Sequence, residues 1–213
     1  MDVTILIPTY NRKQFEKLIE LNIITQKYPF IKEIIIADDG EDDALCITCK
    51  YPIRYLNVPR MTIGAKRNLL IKESTTEFNA FMDTDDFYSP NYISVSIYNL
   101  LKTGKKISGS ANMLMMNSEE EIFIQQCSQL PSLNEATLVF RKDIKFADVN
   151  TGEGRESLPI MDIVETSIGD IMVCIAHTGN TVDKSVWLTP QNKVRFDMKV
   201  YADHLKLLSD AII

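Results

Sequence analysis

The chain has 213 residues, 45% of them hydrophobic and 24% charged, with a net charge of −6 at pH 7. That length supports one sizeable core or a domain with an appendage, and the acidic balance argues against a nucleic-acid backbone as the main partner. No apolar run approaches the ~20 residues of a membrane span, and no basic-then-apolar leader opens the sequence.

Val3-Thr4-Ile5-Leu6-Ile7 is an apolar, largely β-branched run, the pattern of a strand buried on both faces. It stops at Pro8, and residues 9–12 read as a loop. From residue 13 to about 26, Phe15, Leu18, Ile19, Ile23 and Ile24 recur at helical spacing. Residues 31–37 predict a second strand, which ends in Asp38-Asp39-Gly40. Residues 41–50 predict a helix or turn, and 53–58 a short third strand. Gly64 opens a helix that reaches about residue 73, and residues 78–82 form a fourth strand. Ser89-Pro90 starts a helix that ends near Thr103-Gly104. This alternation is the signature of a parallel sheet with right-handed crossovers. Residues 107–116 read as one strand, 121–126 as another and 136–141 as a clearer one. A polar stretch at 148–157 precedes a predicted helix over 158–167. Residues 171–176 are the last strong strand, and 198–213 an amphipathic helix with an uncapped end, as expected of a domain followed by others.

The four cysteines, Cys46, Cys49, Cys127 and Cys174, fit a reducing, cytoplasmic setting. Cys46 and Cys49 have CxxC spacing, and no second pair completes a zinc site.

The chemistry concentrates where Phe81-Met82 runs into Asp83-Thr84-Asp85-Asp86. Carboxylates crowded past a strand end repel one another unless a cation sits among them. Parallel strands put their carboxyl ends on one edge of the sheet. Pro8-Thr9-Tyr10, Asp38-Asp39 and Asp83-Thr84-Asp85 are therefore expected together. An aromatic loop residue stacks a base, an aspartate accepts from base or ribose donors, and a carboxylate pair holds a metal for a diphosphate. Arg67, near a helix start, adds donors for phosphate oxygens.

Ile7-Pro8-Thr9-Tyr10-Asn11-Arg12, Ile36-Ala37-Asp38-Asp39-Gly40, Gly64-x-x-Arg67-Asn68 and Phe81-Met82-Asp83-Thr84-Asp85-Asp86, in that order, resemble a family 2 glycosyltransferase of the GT-A fold. The resemblance implies an α/β, Rossmann-like fold with a mixed, mainly parallel central sheet flanked by helices. It implies one domain, with a nucleotide-sugar half up to about residue 105 and an acceptor half beyond it. It also implies a UDP-sugar donor, an oligosaccharide or glycan hydroxyl acceptor, Mn²⁺ or Mg²⁺, and inversion at the anomeric carbon. By that resemblance Pro8, Thr9, Tyr10 and Arg12 line the donor nucleotide, and Asp39 meets uracil. Arg67 lies by the diphosphate, and Asp83 and Thr84 belong to the donor site. Asp85 is the direct metal ligand, with Asp83 shared between metal and ribose, and Asp86 supports them. His177, heading His177-Thr178-Gly179-Asn180-Thr181, completes the metal or diphosphate site. Members carry a Gly-Glu-Asp segment whose acid is the general base. Here it reads Gly152-Glu153-Gly154-Arg155-Glu156, so the aspartate position is a glycine. Glu153 is the first choice for the base and Glu156 the second. Trp187 is placed near the acceptor or in the core, and His204 on the surface.

Two other readings stay open on sequence. One is a Mg²⁺-dependent phosphatase with an Asp nucleophile, although its motif sits on the first strand. The other is a non-catalytic module that binds a nucleotide-sugar or glycan.

Overall fold

The computed structural model describes residues 1–126, 133–154, 159–180 and 182–211. In chain order these form β1 (Val3–Thr9), α1 (Glu16–Ile24), β2 (Ile31–Asp38), β3 (Ile53–Asn57), α2 (Ile63–Glu73), β4 (Phe78–Phe81) and β5 (Asp86–Tyr88). There follow α3 (Tyr92–Thr103), β6 (Ile107–Gly109), β7 (Asn112–Met116), β8 (Ile122–Gln126), β9 (Val139–Arg141), β10 (Ile163–Glu165), β11 (Met172–Ile175) and α4 (Ala202–Ala211).

The central sheet has the order β10-β6-β9-β4-β1-β2-β3. Strands β4, β1, β2 and β3 are parallel neighbours. Strand β9 runs antiparallel to both β4 and β6, and β10 is parallel to β6. This is the mixed, mainly parallel α/β architecture expected from the sequence. Strands β5, β11, β7 and β8 form a second, smaller sheet.

The uninterrupted apolar runs follow from two cores, one on each face of the central sheet. Ile5 and Ile7 of β1, with Ile34 and Ile36 of β2, join the larger core. Leu6, Ile35, Ala37 and Phe81 point the other way and pack with Leu70 and Ile71 of α2. Alternate residues serve opposite faces, and buried Thr4 within β1 is satisfied by Thr76 Oγ1 at 2.8 Å.

Three local expectations are corrected, and one further strand is added. Residues 107–116 are two strands in different sheets. The chain leaves the central sheet after Gly109, where a Cβ would lie 2.7 Å from Leu138 Cδ2. At Ser110 the backbone N–H donates to Thr137 Oγ1 at 2.9 Å and the carbonyl accepts from Asn134 N at 2.8 Å, so loop contacts replace strand pairing there. The described part of 158–167 is a 3₁₀ turn at Ile160–Asp162 and then β10, because Ile163 and Val164 pair with Ile107 and Ser108. Residues 41–50 form no helix. Side chains outside the segment take several of its backbone donors: Cys46 N donates to Glu16, Thr48 N to Glu20, Glu41 N to Asn11 and Leu45 N to Tyr55. Finally, Asp86-Phe87-Tyr88 is a strand, held antiparallel against β11.

His204 is not a surface residue but is buried. Its Nε2 lies 3.0 Å from Asn22 Oδ1, which also accepts from Tyr88 N at 2.9 Å. Phe87 and Tyr201 flank the ring. No helix among the described residues is long and apolar enough to cross a membrane.

Candidate active site at the carboxyl edge of the sheet

The ends of β1, β2 and β4 converge as the parallel topology requires. Pro8, Thr9, Tyr10, Asp83, Thr84 and Asp85 line one cleft of about 460 Å³, together with Arg12, Arg67, Glu135 and Glu153. Three charge clusters are spread along this edge.

The first lies after β2. The Asp39 carboxylate is fully buried and accepts from Lys66 Nζ, from Arg60 Nη1 at 3.0 Å and from Met61 N at 3.0 Å. Burial alone would raise its pKa, but the Lys66 and Met61 hydrogen bonds outweigh it and hold Asp39 below the usual carboxylate range. Lys66 also donates to Thr9 O at 2.6 Å, tying β1 to β2 through α2. The Arg60 guanidinium lies 3.6 Å from the Tyr10 ring centroid, so cation and ring form a stacked pair above Asp39. Asp38 is buried too, and accepts from Gly40 N at 2.9 Å and from the Tyr55 hydroxyl.

The second cluster is centred on Arg67. Its Nε donates to Glu153 Oε1 at 2.9 Å, and its Nη2 reaches the two Asp83 oxygens at 3.2 and 3.3 Å. The guanidinium also lies over Phe81, 4.5 Å from the centroid. Its Nη1 is buried with no partner, an orphaned donor on a cleft-lining residue. Burial raises the pKa of Asp83, and the Arg67 charge offsets this only in part. The Asp83 backbone N–H donates to Tyr88 Oη at 2.8 Å, and that hydroxyl donates to Ala136 O at 2.9 Å. Close packing of α2 brings Glu153 to Arg67. Gly64 N donates to Val149 O at 3.1 Å, and a Cβ on Gly64 would fall 1.8 Å from Ala147 O and 3.2 Å from Glu153 Cβ. Only glycine permits that approach.

The third cluster surrounds Asp85. Its Oδ2 has His177 Nε2 at 3.1 Å, Asn180 Nδ2 at 3.4 Å and Arg12 Nη2 at 3.5 Å. Gly179 N donates to His177 Nδ1 at 3.1 Å, so the ring proton is assigned to Nε2, facing Asp85. Burial opposes ionisation of Asp85. The His177 hydrogen bond and the charges of Lys184 and Arg12 outweigh it, leaving the pKa at about 2. Neighbouring Asp86 accepts from Ile175 N at 3.2 Å, with Lys184 at 3.5 Å, and burial pushes its pKa up to about 7. Thr84 is buried between the two acids.

Among the described residues no three His, Cys, Asp or Glu side chains converge as a ligand group. Asp85 and His177 are the pair able to face a divalent cation from adjacent positions. Glu156 lies outside the described residues. Trp187 is half-buried against the larger core. Sequence reasoning missed Lys66, Arg60, Glu135 and Lys184. Lys66 stands beside Arg67 in the same motif, but its turn toward Asp39 appears only in the structure. Glu135 carries no local signal.

The profile of Glycosyl transferase family 2 matches residues 4–146. The chain belongs to this family. Glycosyltransferase GlyA of Streptococcus pneumoniae is 26% identical over 127 residues, 57% of this chain and 18% of GlyA. An uncharacterized glycosyltransferase of Rickettsia felis is 35% identical over 101 residues, 45% of this chain and 16% of that protein. The chain thus spans under a fifth of the length of these two family members. Staphylococcus aureus TarS 1-349, solved with UDP-GlcNAc, superposes with a TM-score of 0.60 at 17% identity, covering 100% of this chain and 68% of that one. The mannosyltransferase PcManGT of Pyrobaculum calidifontis, solved with GDP-Man and Mn²⁺, gives 0.55 at 14% identity over 87% and 58%. At these identities the likeness is one of fold, and that fold is the GT-A arrangement.

Proposed function

We propose that this family 2 domain is a metal-dependent, inverting glycosyltransferase that moves a hexose or deoxyhexose from a UDP-sugar to a glycan hydroxyl. The observation that carries the reading is the meeting of the Asp85–His177 pair with the Arg67–Asp83–Glu153 group beside a cleft walled by Pro8, Thr9 and Tyr10. TarS with UDP-GlcNAc and PcManGT with GDP-Man and Mn²⁺ share the fold, which supports a nucleotide-sugar donor and a divalent ion.

The donor set fits such an ion. Asp85 would supply a carboxylate oxygen, and His177 would supply Nε2 once its ring proton moves to Nδ1, in place of the bond that Nδ1 accepts from Gly179 N. Two protein ligands suffice where diphosphate oxygens and waters complete the shell. When bound, Mn²⁺ or Mg²⁺ supplies positive charge against the leaving diphosphate.

The chain's own residues do the rest. Tyr10 and Arg60 offer a stacking surface for the base, with Asp39 beneath them. Arg67, held by Asp83 and Glu153, sets positive charge along the cleft wall for the diphosphate. Asp83, fixed by Arg67, accepts from the ribose. The acceptor hydroxyl attacks the anomeric carbon from the face opposite the diphosphate in a single displacement, and its proton passes to a carboxylate on the wall that carries Glu153.

The test is a thermal-shift titration with UDP, with and without Mn²⁺, since ligand binding raises Tm by mass action. UDP with Mn²⁺ raises the Tm of the wild-type chain, and Asp85→Ala removes the metal-dependent part of the shift. A metal-dependent shift that survives in Asp85→Ala overturns the metal assignment.

A further inference from the structure

The carboxylates of the cleft are not equivalent. Asp83 and Glu153 both accept from Arg67, and Asp85 is ringed by His177, Asn180 and Arg12. Glu135 alone, among the described acids lining the cleft, has no ion pair with a described cation. Its Oε1 accepts one hydrogen bond, from the neutral backbone N–H of Gly154 at 3.0 Å. The charged groups that face it are Glu153 and Arg67. Burial, then the charge of Glu153, raises its pKa against the pull of Arg67. A carboxylate in that environment is suited to taking up a proton.

Its position is fixed from both sides. Glu135 opens a 3₁₀ turn, Glu135–Thr137, capped by the Asn134 side chain, which accepts from Ala136 N at 3.2 Å. The turn is anchored where Asn134 N donates to Ser110 O at 2.8 Å and Ser110 N to Thr137 Oγ1 at 2.9 Å. Across the cleft wall, a Cβ on Gly154 would stand 2.9 Å from Glu135 Oε1 and 3.1 Å from its Cγ. The Glu135 carboxylate therefore fills the space that a side chain at position 154 would occupy. Gly152 has a positive φ of 63°, but Gly154 does not. Backbone conformation does not demand glycine at 154; a side chain there would displace the Glu135 carboxylate from its present place.

We propose that Glu135, seated in the space left by Gly154, takes the proton of the acceptor hydroxyl, while Glu153 positions Arg67. The inference rests on the glycosyl-transfer reading. In the step, the acceptor oxygen forms a bond to the anomeric carbon as the bond from that carbon to the diphosphate oxygen breaks. The electron pair leaves with UDP. The hydroxyl proton moves to a Glu135 oxygen and passes to solvent after product release.

The test measures UDP affinity with Mn²⁺ and UDP release from UDP-glucose, UDP-galactose and UDP-N-acetylglucosamine, with water as the acceptor. Glu135→Gln should lower release by about 100-fold or more, as loss of a general base does, with UDP affinity changed less than about twofold. The Glu135→Ala/Gly154→Asp double variant returns a carboxylate to the same space from the opposite wall. It should recover at least about tenfold over Glu135→Ala, which a structural role for Glu135 would not produce. Glu135→Gln within about threefold of wild type, or a double variant no better than the single one, overturns the role of Glu135 alone. Wild-type UDP binding without release from any donor also overturns the proton-transfer role and leaves the donor site standing. A wild-type chain that binds no UDP removes the donor reading, and this role with it.

Discussion

The segments up to α3 and those beyond it build their shares of the cleft by different means. In the first, Thr9, Asp39 and Asp83 sit at or just past the ends of β1, β2 and β4, whose register pairs Thr9 with Asp38 and Leu6 with Phe81. In the second, Glu135, Glu153, His177 and Lys184 sit on 3₁₀ turns and loops, held by contacts such as Gly154 N to Glu135, Ala147 N to Glu153 O and His177 N to Asn180 Oδ1. Strand ends inherit their positions from the sheet. Loop residues need their own anchors, and those anchors are polar contacts between segments distant in sequence. The two parts share sheet pairing, β4 with β9 and β5 with β11, and one core, while polar contacts such as these fix the cleft residues of the second.

The strongest of these joints is Arg67, which bridges Asp83 of the first half and Glu153 of the second. Arg67→Leu removes the cation that Asp83 and Glu153 share, and it should destabilise the chain by about 3–5 kcal/mol, read from urea unfolding. Arg67→Lys should not rescue it fully, because an ammonium cannot reproduce the fork. A loss below about 1 kcal/mol would show that the halves are not joined there.

A second joint is the buried contact from His204 of α4 to Asn22 of α1. His204 Nε2–H donates to Asn22, and Nδ1 is buried with no partner. Burial, only partly opposed by the Asp203 charge, lowers its pKa to about 4 from an ordinary value of 6.5. The unfolded chain therefore takes up a proton near pH 6.5 that the folded chain refuses until about pH 4. The contribution is complete above pH 6.5 and is lost as pH falls through that window, by up to about 1.4 kcal/mol per pH unit. Urea midpoints at several pH values should show that slope in wild type and a flatter one in His204→Phe. Equal slopes would remove His204 from the joint.

The smallest expected effect lies where α2 begins. Thr62 caps the helix by accepting from Ala65 N at 3.1 Å, and its hydroxyl donates to Asp148 across the joint. Thr62→Ala should cost about 1 kcal/mol in thermal or urea unfolding. A change under about 0.3 kcal/mol would mean that the Gly64–Ala147 contact alone holds the helix start.

Much of the first half was legible. Apolar runs ending at Pro8, at Asp38-Asp39 and at Asp83 marked β1, β2 and β4, and parallel topology alone required their ends to meet. The partners of those acids were less legible. Asp39 reads as an open acceptor, but Lys66 one turn into α2 fills one side of it, and nothing in the spacing shows which way Lys66 turns. In the second half, Ile163 and Val164 fit a helix or a strand equally well by local pattern, and pairing with β6 decided between them. His204 fits the exposed face of an amphipathic tail until Asn22, 182 positions away, supplies its acceptor.

By itself the sequence determined the parallel core, the edge on which its acids gather and the family motifs along it, because strand period and chain direction are local properties. Tertiary structure decided which cleft acids pair with described cations and which one, Glu135, does not. That depends on how closely Gly64, Gly109 and Gly154 let segments far apart in sequence approach. For Glu135, the deciding fact is the side chain that Gly154 lacks.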